Sequence, residues 1–363
     1  MKICLITRSF SLKGGGIGRV GAEIRNKLLE RGHEVHTIST NREGLVSYFK
    51  YTLLEIPFKL PRGMDIYHAI TPMESIWIPK EKGVSIILDI IAITHPGRYG
   101  GRLGGTVTIH DLFPLTNPNQ LGAGIGYSKI KTLIGSTYFK FACKQAIKCK
   151  YIVTVSEHVK REVVKYLGAD PNKIKVIRSG INANLEPLPK QDGRFRVGYI
   201  GQLDRRKRVH LLIDAFKRSY LNELVLGGKG LDEDLLKKQA EGDKRIKFLG
   251  FVPDEKLCDF YNSLDVFIFP TAIEGYGLPP VEAMACKKPV VVLSDSIIPQ
   301  EVKNRCIVVD GLDYILGHRD YLEGLCKSVD IEGNYKWAKE HNWNKTVDEY
   351  IEVYKEVMNG KKA

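Results

Sequence analysis

The sequence predicts an α/β protein built from two Rossmann-like halves, and three observations lead to that prediction. Short apolar strand patterns alternate with helical patterns along the chain, which is typical of parallel sheets covered by helices. The order of strand, glycine loop and helix begins at residue 2 and again at residue 195, which makes an internal repeat. At 363 residues the chain is long for one core, so two domains are the natural division.

Composition limits the classes of partner and the compartment. The 55 basic and 42 acidic residues give a net charge of +13, which suits anionic partners such as nucleotide diphosphates or phospholipid surfaces. A nucleic-acid binder would also need a reading element, and none is evident. The seven cysteines are an odd number without Cys-x2-Cys spacing, which predicts reduced thiols in the cytoplasm. The longest apolar stretch is far shorter than the roughly 20 residues that span a bilayer.

A glycine-rich segment follows the first predicted strand, at residues 2–7. Its Gly16-x-Gly18-x-x-Gly21 spacing matches the dinucleotide fingerprint, which would indicate an NAD-dependent oxidoreductase. However, the glycines come several residues after the strand, and the next strand carries no acid to bind a ribose. The preferred interpretation is a loop, including Gly15 and Gly16, whose N–H groups face the ligand of the second domain.

Two further features of the first half have alternative interpretations. Residues 83–105 read as an apolar strand and a flexible basic loop, an insertion that is either an acceptor lid or a surface loop. His110 ends a strand, at the edge where open α/β sheets bind ligands, and Asp111 follows it. A lone histidine there is often only structural, and the alternative is a role at the donor sugar or the acceptor.

Residues 128–151 carry six lysines and no acid, interleaved with apolar and aromatic residues. A basic amphipathic helix of this kind can lie on an anionic bilayer. The other interpretation is a helix packed on the core with a solvated basic face.

The stretch from 265 to 289 carries the strongest signal in the chain. A buried strand at 265–269 leads into a glycine loop and then into Pro279-Pro280, which suits a first helical turn. The N–H groups at a helix start favour an anion. Glu274 and Glu282 bracket this turn and can accept hydrogen bonds from the hydroxyls of a ligand. A ligand that carries both a phosphate for the helix start and hydroxyls for the two acids is typically a sugar nucleotide. Alternatively, Glu282 is a favourable first-turn acid and Glu274 a solvated loop residue.

The segment Glu274-Gly-Tyr-Gly-Leu-Pro-Pro-Val-Glu282-Ala-Met-Ala-Cys resembles the Glu-x7-Glu element of retaining glycosyltransferases with the GT-B fold. His-Asp-Leu-x-Pro at 110–114 and the basic pair Arg206-Lys207 resemble the same family. The resemblance implies two Rossmann-like domains that face each other across a cleft, with a C-terminal helix that crosses back to the first. The implied segments are 1–187 on the acceptor side, 188–334 for the nucleotide sugar, and 335–363 for the C-terminal helix.

The resemblance also implies roles for individual residues. Glu274 and His110 would act at the reacting sugar. Glu282 would hold ribose hydroxyls, and Arg206 and Lys207 would neutralise the diphosphate that leaves. The remaining predicted donor contacts are Gly15, Gly16, Phe251, Val252, Gly275, Tyr276, Gly277 and Leu278.

The predicted function is therefore transfer of a hexose from a UDP- or GDP-sugar, such as mannose or glucose, to a glycan or lipid-linked hydroxyl acceptor. Arg206, Lys207 and the N–H groups at the helix start can neutralise the diphosphate, so no metal and no cofactor are expected. The predicted location is cytoplasmic, with a peripheral membrane contact through 128–151 as the alternative left open. The competing functions are a non-catalytic sugar-nucleotide-binding protein and an NAD-dependent oxidoreductase.

Overall fold

The computed structural model describes residues 1–10, 15–40, 49–87, 129–190 and 192–360. His110, Asp111 and the part of the predicted insertion from residue 88 onward lie outside these ranges. The chain forms two compact units. Unit 1 is Met1–Gly180 together with Trp343–Ala363, and unit 2 is Ile181–Asn342.

Each unit is built on a parallel sheet. The strands in chain order are β1 (Lys2–Ile6), β2 (Glu34–Ile38), β3 (Ile66–Ala69), β4 (Gly83–Ile87), β5 (Tyr151–Thr154), β6 (Ile174–Val176), β7 (Arg196–Ile200), β8 (Glu223–Gly227), β9 (Ile246–Gly250), β10 (Val266–Phe269), β11 (Val290–Leu293) and β12 (Ile307–Val309).

The α-helices of the described residues connect and cover these strands. In chain order they are α1 (Gly15–Glu30), α2 (Ile56–Lys59), α3 (Lys129–Ala146), α4 (Glu157–Leu167), α5 (Val209–Lys217), α6 (Glu233–Gln239), α7 (Asp254–Ser263), α8 (Leu278–Ala285), α9 (Gln300–Lys303), α10 (Asp313–Gly317), α11 (Arg319–Lys327), α12 (Ile331–Lys339) and α13 (Trp343–Asn359). None of them is both long and apolar enough to cross a membrane.

Unit 1 has the strand order β2-β1-β3-β4-β5-β6. One face of this sheet packs against α1 and α13 through buried residues such as Leu5, Ile24 and Val347. On the same face the Tyr354 hydroxyl lies 2.6 Å from Nδ1 of the fully buried His68. The C-terminal helix therefore belongs to the core of the N-terminal unit, which confirms the predicted crossing back.

Unit 2 has the strand order β12-β11-β10-β7-β8-β9. The order reverses between β7 and β10, which is the arrangement of a doubly wound dinucleotide-binding sheet. The central strand β10 is buried along its whole length, because its apolar residues are covered on both faces. The prediction of two Rossmann-like α/β units is confirmed.

The end of unit 2 differs from the sequence pattern, which ran as one helix from residue 335 to 358. The structure has two helices, α12 and α13, with a break at 340–342. In this break Asn342 pairs with Ile181 in a parallel bridge, and the Ile181 N–H donates to the His341 carbonyl at 2.9 Å. The backbone at 341–342 is thus engaged with residue 181 instead of continuing a helix.

Candidate functional site

The carboxyl ends of β7 and β10 meet at the point where the strand order of unit 2 reverses. In open α/β sheets, ligands bind in the crevice at such a point. After β7 the chain forms a tight helical turn, Arg205–Lys207, which Asp204 caps by accepting from the Lys207 N–H at 3.2 Å. After β10 it forms the segment 270–277, and the Ala272 N–H donates to the Arg206 carbonyl at 2.9 Å. The topology therefore brings the predicted diphosphate and hexose residues together.

Glu274 is the centre of this cluster. Its Oε1 accepts hydrogen bonds from the Thr271 hydroxyl at 2.7 Å and from the Lys207 ammonium, and Arg206 Nη1 lies 3.1 Å from the same oxygen. Both hydrogen bonds from described residues go to Oε1, and this leaves Oε2 to accept from a ligand. The Glu274 side chain is 13% exposed, so the alternative interpretation as a solvated loop residue does not hold.

The charges of this cluster are strongly coupled. Burial by itself raises the pKa of Glu274, but the nearby Arg206 and Lys207 and the hydrogen bonds to the carboxylate together lower this pKa to about 2. Burial and the neighbouring Arg206 lower the pKa of Lys207, against the opposing effect of Glu274. The carboxylate is thus held ionised and its position is fixed by two cations.

The four consecutive basic residues have different environments. Arg205 is exposed, whereas Arg206 and Lys207 are 5% and 7% exposed. Arg208 has φ 53° and donates to the Pro270 carbonyl at 2.7 Å and to both oxygens of Asp295 at 2.7 and 2.9 Å. Arg208 therefore holds the segment after β10 in place, and Arg206 and Lys207 are the cations next to Glu274.

The loop 275–278 ends at the start of α8. Gly277 has φ 92° and ψ 64°, a left-handed conformation that favours glycine, and prolines occupy the first helical turn as predicted. The N–H groups at such a helix start are oriented to bind an anion. The Tyr276 side chain is only 5% exposed, so this residue can offer a ligand little more than its backbone.

Two other predicted donor contacts lie on neighbouring elements of unit 2. Glu282, on α8, is 5% exposed, and its Oε2 accepts a hydrogen bond from the Tyr261 hydroxyl of α7 at 2.8 Å. Phe251 and Val252 follow the edge strand β9, and the Phe251 side chain is 47% exposed. An exposed aromatic ring at the carboxyl end of a strand is a suitable surface for a base.

A glycine turn after β8, for which no role was predicted, also shapes the site. Any Cβ at Gly228 would lie 1.8 Å from the Gly201 carbonyl oxygen, and one at Gly230 would lie 2.2 Å from the Leu203 carbonyl oxygen. The turn 228–230 thus packs backbone against backbone on the turn that precedes Arg205–Lys207. The Gly-Gly-x-Gly spacing at 227–230, directly after a strand, was the signal that could have shown it.

The N-terminal glycines are placed differently from a dinucleotide fingerprint. Helix α1 begins at Gly15, so Gly16, Gly18 and Gly21 lie within the helix instead of in the turn before it. This argues against the NAD-dependent alternative. Gly15 and Gly16 are the first residues of α1, where N–H groups have no partner within the helix.

The basic helix α3 packs on the core through Phe139, Ala142, Cys143 and Ala146, which are buried. Lys140, Lys144 and Lys148 are exposed. This arrangement fits a packed helix with a solvated basic face and also leaves that face open to an anionic surface. Within the described ranges, no group of three or more His, Cys, Asp or Glu residues is arranged to hold a metal ion.

Two doubly wound parallel sheets, one with a buried cluster of cations and a carboxylate at its switch point, define a protein of the α/β class with the two Rossmann-like units of the GT-B fold. Sucrose-phosphate synthase from Thermosynechococcus elongatus has this fold, with a TM-score of 0.71 at 15% identity over 99% of both chains. HepE of Anabaena, solved in complex with UDP, has a TM-score of 0.67 at 18% identity and covers 98% of this chain and 100% of its own.

Sequence profiles of two glycosyltransferase families match the chain. Residues 181–312 match the family described as Glycosyl transferases group 1, and residues 14–185 match the family described as Glycosyltransferase Family 4. Both halves of the chain therefore match glycosyltransferase families, as the motifs indicated. O-antigen chain mannosyltransferase B of Escherichia coli is 26% identical over 230 residues, which cover 57% of this chain and 60% of the relative. The chain spans about three fifths of the length of the curated relatives it matches.

Proposed function

We propose that the protein transfers a hexose from a nucleoside diphosphate sugar to a hydroxyl acceptor, with retention of the anomeric configuration. The observation that carries this proposal is the Glu274 carboxylate, ionised and fixed through Oε1 by Lys207 and Thr271, with Oε2 left for a sugar hydroxyl. Arg206 and Lys207 lie beside it, where the diphosphate of the donor would need neutralising charge.

The remaining donor contacts follow the order of the elements around the switch point. The backbone of 275–278 and the N-terminus of α8 would bind phosphate and hexose. Glu282, oriented by Tyr261, would accept from ribose hydroxyls, and Phe251 with Val252 would contact the base. The roles of Gly15, Gly16 and His110 stay predictions.

In the proposed reaction the bond from the anomeric carbon to the diphosphate oxygen breaks, and a bond to the acceptor oxygen forms on the same face of the sugar. The acceptor proton passes to a phosphate oxygen of the leaving group. Arg206, Lys207 and the N–H groups of α8 would stabilise the charge that develops on the diphosphate. No protein nucleophile is required in this scheme.

Donor and acceptor are proposed by class. The mannosyltransferase relative and the UDP complex of the structural neighbour support a GDP- or UDP-hexose, such as mannose or glucose. The acceptor is proposed to be a glycan or a lipid-linked hydroxyl, because the relative acts on an O-antigen chain. We also propose that the reaction needs no metal, so that activity should be unchanged in EDTA and independent of added Mg²⁺ or Mn²⁺.

A donor screen tests the function. The purified protein is incubated with a panel of UDP- and GDP-hexoses, and both hydrolysis and transfer are followed by release of the nucleoside diphosphate. Lys207→Ala should abolish the release, whereas Arg205→Ala, which changes the exposed neighbour, should retain it. Binding of a donor without release or transfer would favour the non-catalytic alternative, and binding of NADH instead of any sugar nucleotide would favour the oxidoreductase.

Membrane contact is a separate part of the proposal. Each lysine close to an anionic surface contributes about 1 kcal/mol, and three exposed lysines follow one another along and just beyond α3. Salt-sensitive sedimentation with anionic liposomes is expected, and it should weaken when Lys140, Lys144 and Lys148 become Glu. Absence of binding at low salt would leave a soluble acceptor as the better interpretation.

A further inference from the structure

The loop 275–278 has a second fixed point besides Glu274. The Tyr276 side chain lies in the interior of unit 2, and its hydroxyl makes a hydrogen bond with Nε2 of His341. Both residues are 5% exposed. Tyr276 is flanked by Gly275 and Gly277, which have no side chains of their own to fix the loop.

The second ring nitrogen of His341 determines the direction of this hydrogen bond. Nδ1 lies 3.1 Å from the Trp337 carbonyl oxygen, and because a carbonyl can only accept, Nδ1 carries a proton. In this tautomer of the neutral ring Nε2 has a lone pair and accepts from the Tyr276 hydroxyl. The Trp337 ring packs edge-on at 4.5 Å, and Arg305 lies over that ring at 4.2 Å.

His341 is in turn held by the scaffold of unit 2. It follows α12, which packs against α8, the helix that the loop leads into. Its carbonyl accepts from the Ile181 N–H at 2.9 Å, so the residue is fixed by backbone as well as side chain. The loop is therefore anchored from two directions: through Glu274 to the turn after β7, and through Tyr276 to the end of α12.

We propose that His341 is a positioning residue for the donor loop 275–278 and acts through the Tyr276 hydroxyl. The inference rests on the proposed function, in which the loop backbone binds hexose and phosphate. A phenylalanine would fill the same space but would not fix the loop through this hydrogen bond. Because the loop backbone would contact the donor in the ground state and the transition state alike, loosening it removes uniform binding, which raises KM and leaves kcat unchanged.

Three variants test this role: Tyr276→Phe, His341→Leu and the double variant. Each single change should raise the donor KM about 3- to 10-fold, the range expected for one hydrogen bond, with kcat within twofold. The donor KM of the double variant should be no higher than that of the more impaired single variant, because both changes remove the same interaction. His341→Gln, which retains an acceptor on a side chain of similar reach, should recover part of the affinity.

Amide hydrogen exchange provides a readout that does not depend on activity. Residues 275–278 should exchange faster in Tyr276→Phe and His341→Leu, while the strands of unit 2 keep their protection. If His341→Leu does not fold, Tyr276→Phe alone decides, since it removes a single oxygen. Unchanged KM and unchanged exchange in Tyr276→Phe would overturn the inference. If the wild type transfers no hexose but the exchange responds, the proposed function fails and the coupling of His341 to the loop stands.

Discussion

The carboxyl edges of the two sheets share a parallel topology but hold different polar groups. In unit 2 the edge between β7 and β10 carries Arg206, Lys207 and Glu274, whose side chains are 4%, 9% and 13% exposed. In unit 1 the described residues that follow β1, β2, β3 and β5 include four buried hydroxyl residues, the partly buried Arg8, and Glu74, which caps a helical turn. These hydroxyl residues are Thr7, Thr40, Thr71 and Ser156.

The buried titratable groups differ in the same way. Burial lowers the pKa of His68 in unit 1 to about 3, so this ring is neutral. In unit 2 the pKa of Glu274 is lowered to about 2 against the effect of burial, so this group is charged. The comparison teaches that the fold alone does not decide the charge of a ligand. The residues that follow the strands decide it, and in unit 2 they include two buried cations beside a carboxylate.

The largest expected effect tests whether the charges of unit 2 depend on one another. Glu274→Ala removes the carboxylate that lies closest to the buried Arg206 and Lys207 and leaves Asp204, 4.0 Å from Arg206, as the neighbouring acid; this should cost about 3–5 kcal/mol in the free energy of unfolding. Transfer should fall at the same time, because a hexose contact is lost. Denaturant unfolding of the variant measures the first effect and donor turnover the second.

Glu241→Ala is the matched control, because Glu241 is exposed in the same unit. It should change the free energy of unfolding by less than about 0.5 kcal/mol. Transfer by Glu274→Ala within threefold of wild type would show that the carboxylate serves only the two cations.

The second prediction concerns the backbone contact between the turn 228–230 and the turn that precedes Arg205–Lys207. Gly228→Ala should destabilise the protein by about 3 kcal/mol, because the new Cβ would meet the Gly201 carbonyl and φ is 118°. Gly242→Ala is its control, since φ is 85° there and nothing lies within 4 Å of a Cβ. That change should cost only about 1–2 kcal/mol of backbone strain. Equal melting temperatures for the two variants would show that the backbone around Gly228 can shift to accommodate a side chain at little cost.

The third prediction separates the units by pH. Unfolded, His68 gains a proton below its ordinary pKa of 6.5, whereas the folded ring stays neutral down to about pH 3. Stability from His68 is therefore present above pH 6.5 and is lost as pH falls, by about 2 kcal/mol between pH 6.5 and 5. Glu274 contributes above pH 4.5, and this contribution is lost as pH falls through about 2. Amide protection in unit 1 should thus fall over this range, with a smaller fall in unit 2 from the partly exposed His210, whose pKa burial lowers to about 4.

His68→Gln removes the titration while keeping a group that can bond to Tyr354. This variant should flatten the stability of unit 1 between pH 6.5 and 5, as measured by denaturant unfolding at each pH. An unchanged slope would assign the loss to other groups and would break the contrast between the neutral His68 of unit 1 and the charged Glu274 of unit 2.

The smallest expected effect is at the ribose end of the donor site. Tyr261→Phe removes the hydrogen bond that orients Glu282 and should raise the donor KM about 2- to 10-fold. Glu282→Ala should raise the donor KM more, by a factor that corresponds to about 1–3 kcal/mol of binding free energy, with kcat little changed. A fall in kcat at constant donor affinity, in either variant, would argue against a ribose contact.

Much of the fold and part of the site could be predicted from sequence, because the signals were local. The alternation of short strands and helices predicted both sheets, and Gly277 with two prolines predicted the start of α8. Motifs predict Glu274, Arg206 and Lys207 as site residues, and the strand order explains why segments so far apart in the chain meet.

The interactions that the sequence did not predict are contacts between segments far apart in the chain. The residues adjacent to Glu274 in sequence do not indicate that its carboxylate would be buried beside two cations. Those adjacent to Tyr276 likewise do not indicate that its hydroxyl would bond to His341, which follows α12. The break at 340–342 is likewise decided by the pairing of Asn342 with Ile181, which overrides a continuous helical pattern. Tertiary contact, not propensity, settles these three cases.

The pairing of Ile181 with Asn342 also means that the chain enters and leaves unit 2 at one place. Paired strands lie roughly 4.8 Å apart, so a short peptide would join residue 342 back to residue 181. New ends opened at the exposed turn around Gly242 would then give a circular permutant of unit 2 with every strand intact. Residues 181–342 could therefore be exchanged between relatives as a single segment, and the exchange would transfer Arg206, Lys207 and Glu274 together.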